Sequence, residues 1–364
     1  MPDYCEYSFS ADFVNRLRKY VTSREYQDVA TYSKSEYWQH FSDVIDIRFL
    51  DNKVMLKGES GFYIPQRKDV QKRVKRNVTK LIREPLSLIP FLRRKIGMQT
   101  SEIKLLNYFD AFDKVMGHDR VANIVLSPNR INFKELAQKP GIISSVDDMR
   151  QQFFAKDKYS LNAQIVEAYY YYNLLSGFLD PTSIKTALEI GGGNGNLASL
   201  FYSSMDNCTI INVDLPKTLC LAIVFIADLF PQAKMLLPHE ERSQDLNHYD
   251  FIFLTPKQIY MIEDNTIDLA INTDSFQEMP HRQISEYFKL IQRCCKKNAY
   301  FFTSNRVEKI PCGPNNQQET SETPTRFSDY PWDSANEVLV YEICRLKRLV
   351  QLDDVFIRLE RVKK

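Results

Sequence analysis

The sequence predicts an α/β protein: a doubly wound, mostly parallel sheet closed by a C-terminal antiparallel hairpin, preceded by a mainly helical N-terminal region. Three observations predict it. An apolar run, Thr-Ala-Leu-Glu-Ile at 186–190, enters a glycine turn of Gly191, Gly192, Gly193 and Gly195, and a helical segment at 197–202 follows. From there apolar strand-like runs alternate with helical spacings, the order that builds parallel βαβ units. The last two runs, 338–346 and 355–362, are strand-like, are joined through Leu352-Asp-Asp, and read as a closing hairpin.

The elements follow in order. Thr209-Ile-Ile-Asn-Val-Asp is the second strand of the sheet and closes on Asp214. Pro216 opens a helix reaching Leu229; Asp250 to Thr255 reads as the third strand, Ile267 to Asn272 as the fourth and Ala299 to Ser304 as the fifth. Between the last two, Ile284, Tyr287, Phe288 and Ile291 keep helical spacing over 283–295. Upstream, 13–20 and 32–41 read as helices, and 44–50, the Asp51-Asn52 turn and 54–57 as a hairpin. The expected division is a mainly helical region at 1–155, covering the acceptor side of the cleft, and a ligand-binding domain at 156–364, with Lys139-Pro-Gly and 144–148 at the joint. A helix over 161–179 carries Tyr169, Tyr170, Tyr171 and Tyr172, four consecutive positions that circle its axis.

Two ligand classes fit the glycine turn. Gly193-x-Gly195-x-x-Ala198 satisfies the dinucleotide pattern, with an acid about 20 residues on. Glu189, Gly191, Gly193 and Gly195 also fill the [DE]-x-G-x-G-x-G loop of S-adenosylmethionine enzymes. Glu189 separates the two. A carboxylate at the strand end suits a ligand with an ammonium and a sulfonium and repels a pyrophosphate. Asp214 then stands where a carboxylate accepts from a ribose diol.

Glu189-Ile-Gly-Gly-Gly-Asn-Gly-Asn-Leu-Ala, Val213-Asp-Leu-Pro-Lys-Thr-Leu and Asn272-Thr-Asp-Ser-Phe-Gln-Glu-Met together resemble the sugar O-methyltransferase family, within the Rossmann-like, S-adenosylmethionine-dependent class I methyltransferases. The Asp-Leu-Pro step also resembles the small-molecule O-methyltransferases of plants. The likeness begins near Tyr159 and covers the C-terminal part of the chain. It implies methyl transfer from S-adenosylmethionine to a hydroxyl of a sugar or sugar nucleotide, in bacterial surface-polysaccharide (capsule or lipopolysaccharide) assembly. Alternatives are an amine or phospho-alcohol acceptor that is a precursor of a capsule modification, a non-catalytic nucleoside-binding partner, and an NAD-dependent oxidoreductase.

Composition narrows the classes. With 364 residues there is chain for one large or two ordinary domains. A net charge of +2, both signs spread along the chain, points to no nucleic-acid partner. No apolar run approaches the ~20 residues of a membrane span, and the first residues lack a secretory pattern. Seven cysteines without metal-ligand spacing read as reduced thiols, so no metal is expected and the expected compartment is cytoplasmic. Residues 67–95, beginning at Arg67 and ending at Lys95, hold eleven Lys/Arg against Asp69 and Glu84. They read as a solvated helix face, or as a contact with an anionic membrane or with a glycosyltransferase.

Ligands of open α/β sheets lie beyond the carboxyl ends of the strands. That places Glu189, Gly191, Gly192, Gly193, Gly195, Asp214 and Leu215 around the donor, with Thr255 toward the adenine and Asn272 and Thr273 toward the methionine portion. After the fourth strand, Glu278, His281 and Asp274 are candidates for the base that deprotonates the acceptor, in that order. Asn305, Arg306 and the Tyr330-Pro-Trp332 loop are candidate acceptor contacts, with Trp332 offering a ring to a sugar face.

Overall fold

The computed structural model describes residues 4–27, 45–57, parts of 107–115, 163–205, 207–242, 245–309, 324–350 and 354–364. The expected helix at 32–41, the basic run from Arg67 to Lys95 and the joint at 139–148 lie outside the described residues. The chain forms two compact units. Met1–Ile64, Asp180–Arg348 and Asp353–Lys364 make the first; Pro65–Leu179 and Leu349–Leu352 make the second. The region expected at 1–155 thus contributes to both.

The first unit is built on an eight-stranded sheet in which β4 (Thr186–Ile190), β5 (Thr209–Val213), β6 (Met235–Leu236), β7 (Phe251–Leu254), β8 (Ile267–Thr273) and β9 (Cys295–Arg306) are parallel. The edge is completed by β12 (Glu337–Ile343) and β13 (Val355–Arg361), and β13 runs antiparallel to both β9 and β12. Across the sheet the order is β12-β13-β9-β8-β4-β5-β7-β6. The chain starts at the centre with β4, works outward through β5 and β7, then returns to the other side of β4 through β8. That reversal makes the carboxyl end of β4 a topological switch point, and the glycine turn leaves from there. This is the doubly wound, Rossmann-like sheet with an antiparallel C-terminal hairpin that the sequence predicts.

Sequence explains why these strands are central. Every residue of β4 and β5 is buried, so both faces need cover, and the runs are apolar throughout except for Thr186, Glu189, Thr209 and Asn212. Between β4 and β5 the chain forms α4 (Asn196–Ser204), and after β5 it forms α5 (Pro216–Leu229). Pro216 opens α5 at a position whose N–H has no intrahelical partner to lose. α6 (His281–Cys294) buries Ile284, Tyr287, Phe288 and Ile291, the predicted stripe.

Two strand boundaries and one short ribbon differ from expectation. β9 begins at Cys295, because Lys296 to Ala299 are accommodated as an irregularity opposite β8, with Asn298 at φ 66°. β12 ends at Ile343, and a short helix, α7 (Arg345–Leu349), follows, burying Leu346 and Lys347. A two-stranded ribbon of β10 (Glu308–Lys309) and β11 (Thr325–Arg326) was not expected; its strands are too short to show a period.

The N-terminal hairpin is present as β2 (Asp46–Leu50) and β3 (Lys53–Lys57), and β1 (Cys5–Ser8) adds to β3. α1 (Ala11–Thr22) is capped by Ser10, whose hydroxyl accepts from the Phe13 N–H at 3.2 Å. It is tied to the β5–β6 side of the sheet. Arg16 makes a two-pronged pair with Glu240 at 2.7 and 2.9 Å, and the Tyr20 hydroxyl donates to the Pro216 carbonyl at 2.9 Å. In the second unit, α3 (Ala163–Ser176) buries all four consecutive tyrosines, so none offers an open ring face for stacking. No helix among the described residues is long and apolar enough to cross a membrane.

Candidate functional site

The carboxyl ends of β4 and β5 hold the glycine turn and two acids. Gly191 has φ +74°, and a Cβ there would fall 2.1 Å from Ser275 Oγ, so both conformation and space require glycine. Gly193, at φ +59°, would point its Cβ into open space, and its N–H donates to Asp214 Oδ2 at 2.8 Å. The Leu215 N–H donates to Asp214 Oδ1 at 2.6 Å. Burial pushes the Asp214 carboxyl up to about 7, and these two N–H groups oppose the shift. Glu189 is buried as well. Burial first, and then the Asp214 charge, push it up to about 8.

The polar atoms beneath this turn are incompletely paired. Glu189 Oε2, both side-chain polar atoms of Asn212 and both of Asn196 are buried with no hydrogen-bond partner among the described residues. Buried polar groups in folded proteins are ordinarily paired, so five such atoms around one turn mark a place built to meet something polar. The sheet register sets Glu189 directly beside Asn212. Sequence reasoning passed over Asn212; its signal was a lone carboxamide inside an otherwise apolar, fully buried strand.

At the ends of β8 and β9 the situation reverses. Asn272 Nδ2 donates to the Ile190 carbonyl at 2.9 Å and to Ser275 Oγ, while its Oδ1 accepts from Asn305 Nδ2 at 2.8 Å and from the Phe276 N–H at 3.3 Å. Asn305 also donates to Thr303 Oγ1 at 2.7 Å and accepts from the Gln277 N–H at 3.2 Å; Gln277 Oε1 accepts from the Arg306 N–H at 2.7 Å. Asn272 and Asn305, selected from the sequence as ligand contacts, spend their carboxamides joining three strand ends. Thr273 is half-buried beside them. Thr255 is fully buried, and its N–H and hydroxyl both donate to Gln258 Oε1, at 2.9 and 3.0 Å, closing the turn Pro256–Met261.

The three candidate bases separate clearly. Asp274, at φ 57°, is ion-paired with the buried Lys347 on α7. Glu278, ending the 3₁₀ turn Phe276–Glu278, is ion-paired with Lys309 on β10. The imidazole of His281, the first residue of α6, is half-buried and has no hydrogen-bond partner among the described residues. Next to the two pairs lies Tyr330, whose ring packs edge-on against Phe276 at 5.9 Å and whose buried hydroxyl has no partner among the described residues. Burial, then the Glu278 and Asp274 charges, hold that phenol far above its ordinary range, so it stays a neutral donor.

Trp332 is not an open stacking platform. Its indole N–H donates to the Phe327 carbonyl at 3.1 Å, Phe288 packs edge-on at 5.1 Å, and the Arg358 guanidinium covers the ring at 4.3 Å. Glu278, Asp274 and Tyr330 are therefore brought together, while Trp332 is committed to the aromatic cluster.

No protein-family model matches the sequence, and no curated protein matches it. Solved structures similar to it include a SAM-dependent methyltransferase from Methanosarcina mazei, at 14% identity and TM-score 0.37, over 53% of this chain and 99% of that one. A SAM-dependent methyltransferase from Leishmania major is 13% identical, with TM-score 0.39, over 63% of this chain and 81% of that one. One from Aquifex aeolicus is 15% identical, with TM-score 0.33, over 52% and 88%. Strand order and pairing, rather than these likenesses, define the architecture.

Proposed function

We propose that this chain is an S-adenosylmethionine-dependent methyltransferase acting on a hydroxyl of a sugar or sugar nucleotide. The observation that carries the donor is the glycine turn at the switch point, with the unpaired Glu189 oxygen beneath it and Asp214 one strand away. Two carboxyl groups at neighbouring strand ends, with no cation between them among the described residues, suit a ligand carrying positive charge and disfavour a pyrophosphate. The donor-binding residues are Glu189, the Gly191–Gly195 backbone and Asp214, joined by Asn212 and Asn196. When bound, the donor supplies an activated methyl group on a sulfonium.

The protein's share is placement and proton removal. Asp274 and Glu278 are engaged by lysines, so we assign the base to the His281 ring and give the two ion pairs the task of shaping the acceptor side. The Tyr330 hydroxyl, a fixed neutral donor, suits an acceptor oxygen. The sugar class rests on the resemblance of the three motifs quoted above, and a role in surface-polysaccharide assembly follows from the same resemblance.

Incubation with methyl-labelled donor and a panel of nucleotide sugars tests this reading. Label should pass to a nucleotide sugar, and an H281A variant should lose about 10²–10⁴ in turnover while still binding donor. Label passing only to amines or phospho-alcohols would move the acceptor class and leave the donor site standing.

A further inference from the structure

We propose that Glu189, with Asp214 beside it, takes up a cationic group of the ligand in exchange for a proton, and that Asn212 is the residue that positions Glu189 for this exchange. The inference rests on the methyltransferase reading and deepens it.

Geometry carries it. Glu189 and Asn212 face each other in register on β4 and β5. A Cβ on Gly192 would lie 2.8 Å from Glu189 Oε2 and 2.4 Å from Asn212 Nδ2, so both polar ends converge beneath one backbone carbon that bears only hydrogens. Neither end has a hydrogen-bond partner among the described residues. Around Glu189, α4 presents the Ala198 N–H, β8 sets Ile271 opposite, and β5 contributes Asn212 and, just beyond its end, Asp214. The charged group facing Glu189 is thus another carboxylate. Around Asp214 the contacts are the Gly193 and Leu215 N–H groups.

Two buried carboxylates at the ends of neighbouring strands favour holding a proton near neutral pH. A ligand ammonium entering beneath the turn supplies the missing positive charge, and the carboxyl proton leaves to solvent. Charge balances: one proton out, one cation in. The Asn212 carboxamide can donate to the newly ionised Glu189 oxygen while its own oxygen accepts from the ammonium.

S-adenosylhomocysteine is the probe, because it keeps the ammonium and needs no acceptor. Calorimetric titration of the full chain in two buffers of different ionisation enthalpy, from pH 6 to 8.5, reads the protons released. The wild type should release about half to one proton near pH 7. E189Q should release less than half of that. N212L should bind about tenfold more weakly and shift maximal release to higher pH; N212S, which keeps a donor, should restore the wild-type profile. A merely structural Asn212 would weaken binding without moving the pH profile, and that result would overturn its role. If N212L does not fold, E189Q and N212S carry the test. Equal heats in both buffers at every pH would overturn the exchange while leaving the donor site intact. Absence of any binding would overturn the methyltransferase reading, and the exchange with it.

Discussion

The carboxyl ends of one sheet's strands treat their buried polar groups in two opposite ways. At the ends of β8 and β9, Asn272, Ser275, Gln277 and Asn305 satisfy one another and the neighbouring backbone. At the ends of β4 and β5, a strand or two away, Glu189, Asn212 and Asn196 leave five buried atoms without partners among the described residues. A saturated network fixes geometry and offers little to a ligand, whereas an unsaturated one costs folding energy unless something polar completes it. The contrast teaches that burial and polarity alone do not mark a binding residue. What marks it is hydrogen-bonding capacity left over after the fold has taken its share.

Substitutions that move groups between these two regimes test the contrast. The largest effect is expected from G191A, which forces a side chain into a left-handed backbone and onto Ser275; it should lower stability by about 2–4 kcal/mol and abolish donor binding, read by thermal unfolding and calorimetry. N272L removes the hub of the saturated network and should cost about 2–4 kcal/mol by denaturant unfolding. Donor affinity should fall less than for D214A, which removes a proposed donor contact and should weaken donor binding by about 10–100-fold.

The unsaturated side also makes a pH prediction. Glu189 and Asp214, held up at about 8 and 7, retain protons in the folded chain that the unfolded chain has released above pH ~4. The folded state therefore binds more protons across that window, and ligand-free stability should fall as pH rises from about 5 to 8. Tm measured across that range should fall less in E189Q than in the wild type. A smaller effect belongs to the acceptor side: Y330F should leave Tm within a few degrees and raise the acceptor KM without changing donor affinity.

The sheet was legible because its central strands are buried on both faces and read as unbroken apolar runs, as at Ile210-Ile211 and Phe251 to Leu254. The glycine turn was legible because positive φ at Gly191, Gly193 and Gly195 leaves its mark in residue type. The β10–β11 ribbon was not, since two residues show no period. Nor were the partners of Glu278 and Asp274: Lys309 and Lys347 lie 31 and 73 residues away, and only tertiary structure brings such charges together. Trp332 shows the same limit, because nothing in the order of residues says that Arg358 covers its ring.

The most direct test of the proposed donor site is calorimetric titration of the full chain with S-adenosylhomocysteine, run beside an identical titration with NAD. The proposed function predicts binding of S-adenosylhomocysteine, lost in D214A, and no heat with NAD. Binding of NAD with silence toward S-adenosylhomocysteine would contradict it and make the turn a dinucleotide site.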